Sequence, residues 1–273
     1  MNDIDRNFSG LPGRWQPHTA MIDFCEPNYV WSFDIAEFWS TLTGFAMFAQ
    51  GVVAIRDLSF YELGHDLAGM RLFSAYPRFL VVWGAFLGQA LGSGLLHMTL
   101  RREFQAVDEI GMLICALGCV YCLHASATVR TADDHALNLK LGCALTITAL
   151  VFFAIYFYWA NFEVFHVLFA PIEFYALGRA FWLRRTLQGT DAPTPRSRYF
   201  REAFRGTVGE GLALYGFAVC CWVLEMTQCP SVRWLNLHAW AWHLVVGRGF
   251  NLLATSLVLL TLERNSRTCK KKF

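Results

Sequence analysis

Apolar residues gather into seven runs of roughly 20, near residues 35–55, 79–97, 108–128, 140–160, 163–183, 208–226 and 239–262, with polar residues between them. A helix needs about 20 apolar residues to cross the hydrocarbon core of a bilayer. The pattern therefore predicts an all-α protein, a seven-transmembrane helix bundle over residues 35–263 that forms one domain. A lumenal arm over residues 1–34 precedes the bundle, and a basic cytosolic tail over 264–273 follows it. Composition supports this: only 16% of residues are charged, against about 25% in a soluble domain. No internal repeat of 20–50 residues interrupts the reading.

The charged residues orient the chain. Sixteen lysines and arginines flank one side of the spans, against five on the other, with Arg179 and Arg248 inside spans. The positive-inside rule then places the C-terminus in the cytosol and the N-terminus in a lumen or outside the cell. The formal net charge of +2 hides that asymmetry and gives no reason to expect a nucleic-acid partner. The first 20 residues lack the apolar centre of a cleavable signal peptide, so the first span must direct insertion. Residues 1–22 read as a loose arm, with a glycosylation triplet at Asn7-Phe8-Ser9. Residues 186–206, with Pro193, Pro195 and several arginines, read as a cytosolic loop lying near anionic headgroups. Lys270 and Lys271 stand fourth and third from the C-terminus, as in a dilysine retrieval signal of the endoplasmic reticulum.

Against this background, ionisable residues inside the spans stand out, because burying them in a bilayer is costly. Ser93 and His97 are four apart near the end of the second run, so they share a helix face. Asp108 and Glu109 open the third run across a short loop. A carboxylate there can simply complement the helix dipole, but that does not explain the histidine opposite. His238 and His243 open the last run. Five residues apart on a regular helix, they would point roughly 140° apart. A π-bulge would bring them to one face; taken alone, the stretch also reads as a tryptophan-rich interface belt with incidental histidines. Three histidines with a carboxylate are the components of a catalytic zinc site. Before the first span, Asp23, Glu26, Asn28 and Glu37 read by composition as an acidic lumenal cap beside the membrane, or as hard oxygens suited to calcium that the Phe24 carbonyl can join. The stretch is not an EF-hand.

Of the nine cysteines, Cys115, Cys119 and Cys122 share a face of the third run and read as packing residues. Cys25 and Cys229 fall on the lumenal side, where oxidation is permitted, and form the reasonable disulfide pair. Glu163, His166, Glu173, Arg179, Glu210, Glu225 and Arg248 are expected to pair with one another inside the bundle.

Three segments together resemble the alkaline ceramidase family of seven-span zinc amidases: IDFCEPNYVWSFDIAEFWSTLTG, GSGLLHMTLRREFQAVDE and HAWAWH. The resemblance implies zinc on His97, His238 and His243, with Ser93 and Asp108 as catalytic partners. It implies calcium on Asp23, the Phe24 backbone, Glu26, Asn28 and Glu37, and it supports the Cys25–Cys229 bond. The chain departs from the family at three places. Phe24 stands where the family has tryptophan, Glu225 where an aspartate is expected, and the last two histidines are five apart instead of four.

The activity implied is hydrolysis of a ceramide amide to a sphingoid base and a fatty acid, in the endoplasmic reticulum or Golgi membrane. The substrate is a membrane lipid, and no protein partner is implied. The alternative is a seven-span lipid receptor like the adiponectin receptors, with zinc in a structural or weakly hydrolytic role. A third reading is a lipid-binding or channel protein that has lost its metal. The acidic-cysteine motif around Cys25 favours the hydrolase.

Overall fold

The computed structural model describes residues 12–60, 77–125, 132–159, 161–188 and 192–268. The Asn7 triplet, Cys269 and the terminal lysines lie outside the described residues. Seven helices follow in order: α1 (Phe38–Phe60), α2 (Pro77–Thr99), α3 (Arg102–His124), α4 (Ala132–Trp159), α5 (Phe162–Thr186), α6 (Pro195–Val232) and α7 (Gly247–Thr268). A short 3₁₀ turn, Arg233–Leu235, and a π-helix, His238–Val246, lead into α7. No strand occurs among the described residues. All seven spans are long and apolar enough to cross a membrane, and the protein is a multi-pass membrane protein. Burial differs sharply among them. The final span, His238–Arg264, is 67% buried over its apolar window, against 11% for Asp133–Trp159. The last span is thus the one enclosed by protein, while α4 turns Leu139, Ile147 and Leu150 outward.

Three helices start well before hydropathy suggests, among them α4, which opens at Ala132. The third opens at Arg102 because its polar first turns are satisfied locally. Gln105 Nε2 donates to Glu109 Oε1 at 2.9 Å, and Met21 N–H donates to Gln105 Oε1 at 2.6 Å. The sixth begins at Pro195, inside the segment expected to be a loop. Thr194 Oγ1 accepts from the Ser197 N–H at 3.0 Å, and proline takes the first helical position. The arginines that made this stretch look solvated are partly internal: Arg201 Nε donates to Glu263 Oε1 at 2.8 Å.

The chain resolves into two compact units. The first comprises Met1–Ile55, Gly84–Met112 and Leu214–Gly249. Within it, helices approach closely at glycines. A Cβ on Gly44 would lie 2.9 Å from Gly94 Cα, and one on Gly92 would lie 2.7 Å from the Asp108 nitrogen. From residue 12 onward the arm is fastened, not loose. Thr19 and Ala20 N–H both donate to the Leu100 carbonyl, and Ala36 and Glu37 N–H donate to Met98 and His97 carbonyls. Leu100 ends α2 in the left-handed region, φ 50°, and is buried with Tyr29 and Ala36. That strain costs on the order of 1–3 kcal/mol and is offset by the packing and the two bonds its carbonyl accepts.

A disulfide joins Cys25 to Cys229, tying the arm to the end of α6. Closing so long a loop restricts the unfolded chain. The double substitution Cys25→Ser with Cys229→Ser is expected to lower stability by about 2–4 kcal/mol. Thermal unfolding of purified protein measures it. An unchanged midpoint would show that the bond adds nothing.

The second unit comprises Arg56–Trp83, Leu113–Ala213 and Phe250–Phe273. Buried Glu263 accepts from Ser197 Oγ and Arg201 Nε, both at 2.8 Å, holding the start of α6 against α7. Arg184 and Arg205 each donate to the other's backbone carbonyl. Cys115 is buried against the Val82 carbonyl, consistent with a packing role. Of the polar span residues expected to pair mutually, His166 bonds the Phe162 carbonyl and Arg179 lies over Trp182.

Candidate metal centre

His97, His238 and His243 meet in the first unit. Each is buried, and together they offer ligand atoms within 4.8 Å of one another. Their ring centroids form a near-equilateral triangle with sides of 4.9, 4.9 and 4.8 Å. The π-helix makes this possible. Its i→i+5 ladder widens the turn, so residues five apart return to nearly the same face. The bulge expected in one turn extends over nine residues, His238–Val246. Glu225 accepts the His238 backbone N–H at its start, and Gln50 Nε2 donates to the Leu244 carbonyl at 3.3 Å. Gly247 follows, where a Cβ would collide with Gln50 Oε1 at 2.6 Å.

Deleting Ala239 would restore the four-residue spacing but pull this ladder out of register with the 3₁₀ turn before it. We expect metal affinity to fall about 10–100-fold, read by chelator competition. Tighter binding in the deletion would mean that the π-helix is not what assembles the centre.

The donor set suits a metal ion. His97 Nδ1 donates to Glu37 Oε2 at 2.6 Å, leaving Nε2 buried without a hydrogen-bond partner. A carboxylate on the far nitrogen is the usual support for a ligating histidine. His238 Nδ1 is also buried without a hydrogen bond, 3.9 Å from Glu225 Oε2. His243 Nδ1 meets Thr43 Oγ1 at 2.9 Å, and its Nε2 lies 3.3 Å from Ser93 Oγ. Asp108 is half-buried and takes side-chain hydrogen bonds from Ser93 and Gln89. Ser93 therefore stands between a histidine and the carboxylate, on the turn of α2 that Gly92 brings against α3.

The acidic arm is gathered nearby, with its oxygens held by donors. Asn28 Nδ2 donates to both Asp23 oxygens at 3.1 and 3.0 Å. Glu26 accepts from the Trp39 and Ser40 N–H groups at 2.7 and 2.8 Å, capping α1. Glu37 Oε1 accepts from the Phe24 N–H at 3.2 Å. Asn28 Oδ1 is buried without a donor. Burial pushes the Glu26 and Glu37 carboxyls up, and Asp23 raises Glu37 further. Among the described residues these carboxylates do not converge as the histidines do.

Two contacts were not foreseen. The Phe24 ring lies 4.8 Å from His97 and 4.2 Å from His238 by centroids, so its side chain packs on two histidines. The side chain at that position therefore bears directly on the histidine centre. Thr43 was absent from the candidate residues, although it lies within the segment IDFCEPNYVWSFDIAEFWSTLTG, six positions after Glu37.

Fold and site together define a class: a multi-pass membrane protein with a buried three-histidine centre beside a carboxylate and a hydroxyl. The family model described as Ceramidase matches residues 16–273, and the chain belongs to that family. It is 26% identical over 277 residues to alkaline ceramidase 3 of Mus musculus, covering 96% of this chain and 91% of that protein. It is 24% identical over 299 residues to alkaline ceramidase YPC1 of Saccharomyces cerevisiae, covering 97% and 84%. Against alkaline ceramidase 1 of Homo sapiens the identity is 22% over 275 residues, covering 96% and 92%.

Proposed function

We propose that this protein hydrolyses the amide bond of ceramides, releasing a sphingoid base and a fatty acid, with zinc held by His97, His238 and His243. One observation carries the reading: in a chain of the ceramidase family, three buried imidazoles converge beside Asp108 and Ser93. Bound zinc would polarise the amide carbonyl and make a water acidic near neutral pH. Asp108 takes the proton of the attacking water and returns it to the leaving amine. Ser93, whose hydroxyl faces both the carboxylate and the histidines, turns its one hydrogen from Asp108 to the developing oxyanion once that carboxylate has taken up the water proton. Glu37 keeps the His97 ring oriented by accepting from Nδ1. The apolar outer surface suits a two-tailed lipid arriving from the bilayer.

Calcium on Asp23, the Phe24 carbonyl, Glu26, Asn28 and Glu37 is the second part of the proposal. The orphaned Asn28 oxygen supports it. So do the buried carboxyls of Glu26 and Glu37, which a cation would keep ionised. Because Glu37 also bonds His97, an ion there would brace the histidine centre. The arginine and lysine asymmetry supports a lumenal arm and a cytosolic side for the residues that follow the last span.

The test is to supply purified protein with a panel of ceramides and measure both products. Equal release of sphingoid base and fatty acid, lost on zinc chelation and restored by zinc, is the expected result. A folded, zinc-loaded protein that releases neither product from any ceramide would overturn the proposal.

A further inference from the structure

We propose that Thr43 is a positioning residue for the metal centre, holding His243 in the one tautomer that leaves Nε2 free to ligate. The inference rests on the reading that the three histidines hold zinc. A hydroxyl has a single hydrogen to give. Thr43 Oγ1 sits 2.8 Å from the Trp39 carbonyl and 3.3 Å from the Ser40 carbonyl, and both can only accept. Its hydrogen is therefore committed to its own helix, the back-bonding that threonine commonly makes. Toward His243 Nδ1, 2.9 Å away, the oxygen can only accept. The proton of that contact must come from the imidazole. The Ser40 carbonyl also faces this ring as an acceptor. A neutral imidazole protonated on Nδ1 has its lone pair on Nε2. That is the atom turned toward Ser93 and the other two rings.

The rest of α1 supports this contact. Gln50, seven residues on from Thr43, donates to the Leu244 carbonyl of the π-helix. Met47, between them, is buried where Gly247 gives it room. One face of α1 thus clamps the widened turn that carries His243, and Thr43 is the clamp that touches the ligand.

The experiment measures zinc affinity by chelator competition in detergent-purified full-length protein, with wild type, Thr43→Val, Thr43→Ala, Thr43→Ser and His243→Ala side by side. Thr43→Val and Thr43→Ala should each bind zinc about tenfold more weakly, the lower end of the range for losing an outer partner, because the Ser40 carbonyl remains. Thr43→Ser keeps the oxygen and should stay within about threefold of wild type. Thermal midpoints of the metal-free proteins should coincide, separating ligand orientation from general stability. Wild-type affinity in both Thr43→Val and Thr43→Ala, alongside a large loss in His243→Ala, overturns this inference and leaves the metal reading intact. A serine variant as weak as valine also overturns it. Equal affinity in wild type and His243→Ala overturns both.

Discussion

Replacing His97, His238 or His243 by alanine is expected to abolish zinc retention and ceramide hydrolysis together. All three are buried at the corners of one triangle. Two imidazoles left alone supply half of a tetrahedral shell, and the loss should exceed the roughly 10–100-fold that follows removal of an outer partner. The effect on folding should be smaller than usual for a buried polar truncation. Without metal, His97 Nε2 and His238 Nδ1 are buried polar atoms lacking partners, so removing either ring also removes a desolvation cost. His97→Ala carries the larger structural penalty, since it strands the Glu37 carboxylate. Metal content by mass spectrometry and product release from ceramide, measured on the same preparations, check this. A variant that binds no zinc and still turns over at the wild-type rate would remove the metal from the mechanism.

Asp108→Asn should separate what the histidine variants lose together. Asparagine matches the shape of aspartate and can still accept from Ser93 and Gln89, so packing of α3 against Gly92 is preserved. It cannot take up a proton. Zinc content should equal that of wild type, while turnover falls about 10²–10⁴-fold, the contribution of a positioned general base. Substrate affinity should change little, because the carboxylate acts on water and on the leaving amine. Loss of zinc in this variant would make Asp108 a structural support of the centre, and full activity would remove it from the reaction.

The seven spans were legible because a run of apolar residues is a strong local signal. Polar helix ends were not. The opening turns of α6 look like a solvated loop until Glu263, more than 60 residues away, is seen to bury Arg201. Ser93, His97 and Asp108 were readable from spacing, since i,i+4 and a short loop fix proximity. The pair His238 and His243 was readable only conditionally. Regular helix geometry separates them, and the π-ladder that joins them is held by groups of other helices, Glu225 of α6 and Gln50 of α1. Thr43 and the Phe24 ring escaped notice for the same reason. Nothing along the chain places α1 beside residue 243, 200 positions on, or sets an aromatic ring from the arm on two histidines of different helices.

The central claim is that three imidazoles hold zinc. Zinc K-edge absorption spectroscopy of the purified, metal-replete protein tests it most directly. The first shell should contain only nitrogen and oxygen near 2.0–2.1 Å, with multiple-scattering features of histidine, and the His243→Ala protein should lose them. A shell containing sulfur near 2.3 Å would place the metal on cysteines, for which Cys115, Cys119 and Cys122 are the available group, and would contradict the account.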